Sequence, residues 1–491
     1  MRIKKNLPLW PSIVLVFLIF YHFTLFAGPY DSPIYLNSMS AALAGSDSSF
    51  IKSSESIFVN PAGLAPSSKK HRKIFGKSDF AIHYSMQNNS LMAPYIEDKT
   101  STGTNNKSAY SISLRLGTKK SDWSLGVGYY TPGTLNTDFS SLDYSSIEPN
   151  YSGKVSSYSQ FLGISEFSAG LGYKLLKWVD IGIAWRYAFY QSTIKETKLI
   201  ELASKEVGTL ANVPNGLYFL QENEFSNLSG TNNTGYLFGL QIGPESKIWG
   251  IGVSYRTKMI IRLTGNFSGM ITSPGVNQTN TILTLLGYAP DASASSDQIL
   301  ERDFFWETAL PSRVAISAHI APQNFGIFFE YTMTNYSEIQ QINVDGQYSL
   351  PSSVVGSNYS QNMLTFESIP TLWKNEQSIK VGLKYFITEN WALMGGYLMS
   401  TAVSNPTYIR LIDPPNGPTK TYSFGTSLNY QSWKLIIAYL MSSSNSEVTI
   451  DDANIETPKT FNSTYSTLNP TNGTLTQVGT ILMLGLRYTF F

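Results

Sequence analysis

From Asp79 to the end of the chain, apolar side chains recur at every second position. Phe80, Ile82, Tyr84 and Met86 share one parity; Ala81, His83 and Ser85 take the other. The same alternation runs through residues 110–116, 123–129, 167–173 and 181–187, then 236–242, 249–255, 314–320, 325–331 and 379–385. It closes with residues 391–399, 422–430, 433–441 and 482–490. A period of two predicts β-strands with one apolar face. Roughly fourteen such runs occur, an even number, as bacterial single-chain barrels require. The predicted fold class is all-β: a 14-stranded antiparallel transmembrane β-barrel.

Connections alternate in length. Short ones are expected at residues 117–122, 176–180, 243–248, 322–324, 388–390 and 431–432. Long ones are expected at residues 87–108, 132–157, 195–235, 265–312, 345–378, 404–421 and 442–477. Tight turns at one rim and long loops at the other are the outer-membrane barrel pattern, with the turns periplasmic. Trp123, Tyr173, Trp178, Trp249, Tyr385, Trp391, Tyr430 and Trp433 all flank the short turns, where amphipathic rings would form an interfacial girdle.

Residues 37–65 break the pattern. Small residues dominate, Asn60-Pro61 initiates a turn, and Gly63 permits a further reversal. Such a stretch builds no core of its own but can pack closely against something larger. We read residues 28–78 as a hatch, or plug, and residues 79–491 as the barrel around it. Residues 1–27 read as a secretory signal peptide: Arg2, Lys4 and Lys5, then an apolar run, then Leu25-Phe26-Ala27. An uncleaved anchor is the alternative, but Pro8, Pro11 and His22 shorten the clean apolar run below spanning length.

Composition narrows the function. Only 14% of residues are charged and the net charge is +1, so nothing supports nucleic-acid binding. There is no cysteine, hence no disulfide, thiol chemistry or lipid-modified cysteine. No Gly-x-Ser-x-Gly elbow or His-Glu-x-x-His motif occurs, and the four histidines are His22, His71, His83 and His319. No enzyme and no cofactor are expected.

Several segments together resemble the FadL-type family of outer-membrane transporters for long-chain fatty acids and other hydrophobic compounds. They are Asn60-Pro61-Ala62 in the small-residue hatch, Gly126 to Gly133, Gly163 to Lys174 with Asp180 to Gly182, and Leu310 to Val314. Asn335 to Ile339 and Asp413-Pro414-Pro415 before Ser423 to Gly425 complete the set. Gly63 after Ala62 is a departure that is also seen in secretion-linked barrels. The resemblance implies passive uptake of hydrophobic molecules, most of all long-chain fatty acids, with a hatch kink at Asn60, Pro61 and Ala62. It also implies a lateral opening at Tyr130, Thr131, Pro132 and Gly133, where Pro132 cannot donate to a ladder and Gly133 weakens one. The aromatic carboxy terminus, Tyr488 to Phe491, resembles the signal read by the barrel assembly machinery. A surface adhesin or receptor, or a secretion-linked barrel, is the alternative. Expected partners are hydrophobic small molecules and outer-membrane lipid, and the expected state is a monomer in the bacterial outer membrane.

If the apolar parity faces lipid, the charged parity faces the lumen, since a charge at the midplane costs about 2–4 kcal/mol. Arg115, Lys174, Arg186, Arg256, Arg313 and Lys380 then point inward, with His319, Lys384, Lys434 and Arg487; Glu166 and Glu330 are the main inward acids. These cations either anchor hatch acids such as Asp47 and Glu55 or receive an anionic headgroup. Two loops are candidates for an outer capture groove. One is residues 198–206, predicted as one or two helical turns and carrying Leu199 and Leu202. The other is the apolar run with Ile282, Leu285 and Leu286.

Overall fold

A computed structural model describes residues 36–66, 78–95, 99–117, 121–143, 155–202, 217–272, 296–349, 363–365, 369–405, 418–448, 462–466 and 473–490. The strands are β1 (Asp79–Tyr95), β2 (Lys99–Gly117), β3 (Trp123–Asp143), β4 (Val155–Leu176), β5 (Val179–Leu202) and β6 (Leu217–Ile242). Next come β7 (Trp249–Arg256), β8 (Met259–Thr272), β9 (Ser296–Leu310), β10 (Arg313–Ile320), β11 (Phe325–Thr334) and β12 (Gln341–Ser349). Then follow β13 (Met363–Thr365), β14 (Ile369–Pro370), β15 (Glu376–Thr388) and β16 (Trp391–Ser400). The last four are β17 (Thr419–Tyr430), β18 (Trp433–Val448), β19 (Asn462–Ser466) and β20 (Gly473–Thr489).

Neighbours pair antiparallel in one sheet, and β1 pairs with β20 from Asp79↔Thr489 to Met92↔Thr476, which closes it. Several wall strands are interrupted. β7 and β8 are one strand broken at Thr257 and Lys258, and β9 and β10 are one strand broken at Pro311, which has no N–H to give. β11 and β12 flank a single turn of 3-10 helix, Tyr336–Glu338, and β14 leads into β15. Counted this way the wall is a closed antiparallel barrel of fourteen strands.

The alternation has the expected physical meaning. Ile82, Tyr84, Leu125, Ile183, Ile251, Phe329, Leu383 and Phe424 face outward and are exposed, whereas their chain neighbours are buried, or half-buried at Gly182 and Gly425. So many apolar groups are stable outward only against hydrocarbon. Of the girdle residues, Trp123, Tyr173, Trp178, Trp249, Tyr385, Tyr430 and Trp433 are exposed. Trp391 is half-buried, and its Nε1 donates to Thr426 Oγ1 at 2.8 Å.

The strands run further than the alternation predicted. Residues 87–108, expected as a loop, are mostly ladder: β1 continues to Tyr95 and β2 begins at Lys99, in register throughout. β3 likewise continues to Asp143, and β8 and β9 pair as far as Thr272↔Ser296. Beyond the lipid a strand needs partners for its backbone but no apolar face, so polar residues carry the hairpins into water. The helical turns expected at 198–206 are corrected in the same way. Leu199 pairs with Leu220 and Leu202 with Leu217 in the β5–β6 ladder, which satisfies backbone groups that a nine-residue helix alone could not hold. Residues 203–206 lie outside the described residues, as do Ile282, Leu285, Leu286 and the predicted signal peptide.

Candidate functional site: a filled lumen and a broken seam

Residues 36–66 lie inside the barrel, and nearly all of them are buried. A short helix, Ser38–Ala42, is capped by Asn37, whose side chain accepts from Ser40 N at 2.7 Å. A second, Ser56–Val59, leads into the 3-10 turn Pro61–Leu64. Asn60 adopts extended backbone before Pro61, as the residue before a proline prefers. Its Oδ1 accepts from Ala62 N, and its Nδ2 reaches Ser48 O at 3.1 Å, Leu240 O at 3.2 Å and Val253 O at 3.4 Å. Asn60-Pro61-Ala62 is thus docked on the inner face of β5, β6 and β7.

Glycine marks this footprint on the wall. A Cβ on Gly182 would run into the Pro61 and Ala62 backbone, one on Gly172 into Leu64 and Ala65, and one on Gly239 into Asn60. On the far side Gly396 meets Leu43 and Ala44, and Gly425 meets Ala42. Inward glycines let the hatch backbone approach the ladder, a reason for glycine in a strand that the sequence analysis did not use.

Charge ties the same segment down. Glu55 receives Arg487 Nη2 at 2.6 Å and lies 3.2 Å from His83 Nε2. Burial works to raise the Glu55 pKa, but Arg487 and His83 prevail and hold it well below the ordinary value. Among the described residues no cation pairs with Asp47; burial pushes it up to about 6 against the Ser40 hydroxyl at 2.6 Å. Lys52 forms an ion pair with Asp180, which Lys174 also approaches at 3.5 Å; burial lowers the Lys52 pKa. Gln241 Nε2 donates to Ser48 O at 2.8 Å and Ile51 O at 3.1 Å, and Lys247 to Ser49 O at 3.3 Å.

The predicted lumen cations therefore separate into two sets. Arg115 pairs with Asp79 at 2.6 Å and reaches Gly63 O at 3.4 Å, and Lys174 lies 3.1 Å from Glu245; both sit at the base with the hatch. Arg186, Arg256, Arg313 and Lys380 form a belt one or two inward positions above it. Arg186 donates from Nε and Nη2 to the two Glu166 oxygens, each at 2.7 Å, and Arg256 Nη2 adds a third bond at 2.9 Å. Arg256 also donates to Tyr130 Oη at 3.1 Å. Arg313 is the register partner of Arg256, and Lys380 pairs with Glu330 at 2.7 Å. Asp180, Asp79 and Glu376 are inward acids missing from the sequence prediction. All three stand at strand starts: Asp180 and Glu376 fall in an expected turn and an expected loop, and Asp79 opens the alternation itself; extending the parity back from Ile181 turns Asp180 inward.

Above the belt, apolar residues gather on the inner wall along β4 to β9. Leu162 and Ile164 on β4, Tyr190 on β5, Leu228 on β6, Leu263 on β8 and Trp306 on β9 are all buried.

The ladder between β2 and β3 is interrupted beyond Tyr130. Ser111 pairs with Tyr130, and the next pair recorded toward the outer end is Thr104↔Asp138. Among the described residues, 105–110 of β2 and 131–137 of β3 have no ladder partners across that seam, although β2 stays fully paired with β1. On the other edge of β3, Tyr130 pairs with Glu166 and Gly133 with Ile164, so Thr131 and Pro132 together oppose one residue. That extra residue is a β-bulge, which bends the strand away from its neighbour. The Thr131 hydroxyl accepts from Tyr110 N at 3.0 Å and caps the last backbone group before the gap.

The fold has solved counterparts. A Pseudomonas aeruginosa FadL homologue superposes with a TM-score of 0.65 at 13% identity, over 96% of this chain and 100% of that one. The P. putida toluene transporter TodX gives 0.65 at 11% identity over 93% and 99%. The Ralstonia pickettii toluene transporter TbuX gives 0.59 at 12% over 93% and 98%. No curated protein matches the sequence. The family model for outer membrane protein transport proteins (OMPP1/FadL/TodX) matches residues 34–490. By that match over nearly its whole length, the chain belongs to the OMPP1/FadL/TodX family of outer-membrane transport proteins.

Proposed function

We propose that this protein passes small hydrophobic molecules from outside the cell into the outer membrane, leaving sideways through the β2–β3 seam rather than along the barrel axis. The observation that carries the reading is the broken ladder at residues 105–110 and 131–137, lying beside a lumen whose base is filled by residues 36–66. A wet axial pore offers an apolar solute no reason to enter, whereas an apolar wall lowers its free energy by about 25 cal/mol per Å² buried. Leu162, Ile164, Tyr190 and Leu228 provide such a wall beside the gap. Long-chain fatty acids and small aromatic hydrocarbons both fall in this class, and toluene is what the related TodX and TbuX are named for.

Uptake of a labelled hydrophobic compound by intact cells, with and without the protein, tests the reading. Uptake that depends on the protein supports it. Equal uptake with binding of a surface partner instead would make the barrel an adhesin or receptor.

A further inference from the structure

The gap in the wall opens beside a charge cluster that already contains its own carboxylate. Glu166 is the register partner of Tyr130, the last paired residue before the break, so the cluster stands at the inner threshold of the gap. Its carboxylate accepts both forked donors of Arg186, a third bond from Arg256 and the Ser168 hydroxyl at 3.3 Å. The side chains of Arg186, Arg256 and Glu166 are at most 2% exposed. Forked arginine bonds to a carboxylate are the arrangement by which proteins recognise carboxylate ligands. Here the protein supplies the carboxylate itself.

We infer that Glu166 acts as an internal stand-in for an anionic headgroup and makes the site select uncharged hydrophobic cargo over carboxylates. This rests on the transport reading above. A fatty carboxylate entering the belt finds its best donors occupied and meets the Glu166 charge in a desolvated place, where like charges repel strongly. It must either displace Glu166, leaving that carboxylate buried without its partners, or stay unpaired itself. Arg313, the next cation around the wall, lies opposite Arg256 and adds its charge to the Glu166 site, and Lys380 beyond it is committed to Glu330 in the same way. The cluster still offers a donor: Arg186 Nη1 is buried and, among the described residues, makes no hydrogen bond. A neutral acceptor such as a hydroxyl or carbonyl can take that N–H without bringing charge, and a pure hydrocarbon leaves the cluster undisturbed.

Glu166 is then a specificity-determining residue, whose removal should widen the cargo range. The test uses the full-length protein in detergent with two probes of equal chain length, 1-decanol and decanoate, at about pH 8, where carboxylates are ionised. Wild type should bind decanol at least about tenfold more tightly than decanoate, equivalent to about 1.4 kcal/mol. E166Q, which keeps the shape but frees the two guanidiniums, should tighten decanoate at least about tenfold, so that the preference for decanol narrows or reverses. The wild-type comparison stands even if E166Q fails to fold. Tighter binding of decanoate by wild type, or no gain of decanoate in a folded E166Q, overturns the assignment and leaves the transport reading intact. Failure of wild type to bind either probe overturns both.

Discussion

Tyr130 meets Phe58 edge to face, with ring centroids 4.7 Å apart. One ring belongs to the strand that parts from β2 and the other to the segment that fills the lumen, so the two features of the proposed path share one contact. Tyr130 also receives a bond from Arg256, which places the threshold cluster in the same junction. A molecule that moves this ring disturbs hatch, seam and charge cluster together.

Phe58→Ala should loosen the hatch without unfolding the barrel. The ring is buried among Leu36, Ile57, Val59 and Leu64, and deleting a buried Phe costs about 3–5 kcal/mol. The ladder closing the wall does not depend on it. Hydrogen exchange should therefore speed up at residues 56–64 while the strands stay protected; unchanged hatch protection would count against the contact.

Gly182→Val should displace the Asn60-Pro61-Ala62 turn, because the new side chain has only Pro61 and Ala62 backbone to occupy. The barrel should still assemble, and ion conductance in planar bilayers should rise as the base opens. Gly395→Ala is the control, since a Cβ there meets nothing closer than Ser423 O at 3.6 Å. Equal conductance in the two variants would show that the hatch does not close the axial route.

Hatch docking should depend on pH through Asp47. Its pKa is raised from 3.8 to about 6 in the docked state, so its contribution is fully present below about pH 4 and is lost as pH rises through 6. The loss is on the order of 3 kcal/mol. Glu55 has the opposite sign: its contribution is present above the ordinary carboxylate pKa and disappears only in stronger acid. Asp47→Asn should remove the change between about pH 4 and 6 while leaving the strongly acid loss in place, read as hatch exchange protection against pH. A wild-type profile that matches Asp47→Asn would contradict this.

The lipid-facing surface was legible in the sequence because the bilayer demands an apolar side chain at every outward position. The hairpins beyond the bilayer were not, because water makes no such demand: residues 99–107 pair fully with β1 though no apolar alternation marks them. Among the charges, alternation turned Arg186 and Arg256 inward but could not show both on Glu166, since that depends on register across four strands, β4 to β7, and on rotamers. Pro132 has no N–H to give a ladder, and the bulge at Thr131 and Pro132 includes it, while Gly133 is paired with Ile164. The hatch footprint was written in inward glycines such as Gly182 and Gly239, but composition alone does not distinguish a glycine that admits a neighbour from one that merely bends a strand.

Sideways exit at the β2–β3 seam requires the bulge, so a variant without it separates a lateral route from an axial one. Deleting Pro132 takes out the extra residue between Tyr130↔Glu166 and Gly133↔Ile164 and lets the ladder run straight. Uptake by intact cells of whichever probe the wild type carries, 1-decanol or decanoate, should fall to the level of cells lacking the protein. The variant should still show heat-modifiable migration and still bind the probe in detergent. Uptake at the wild-type rate from the folded variant would contradict sideways exit and make an axial route past the hatch the better account.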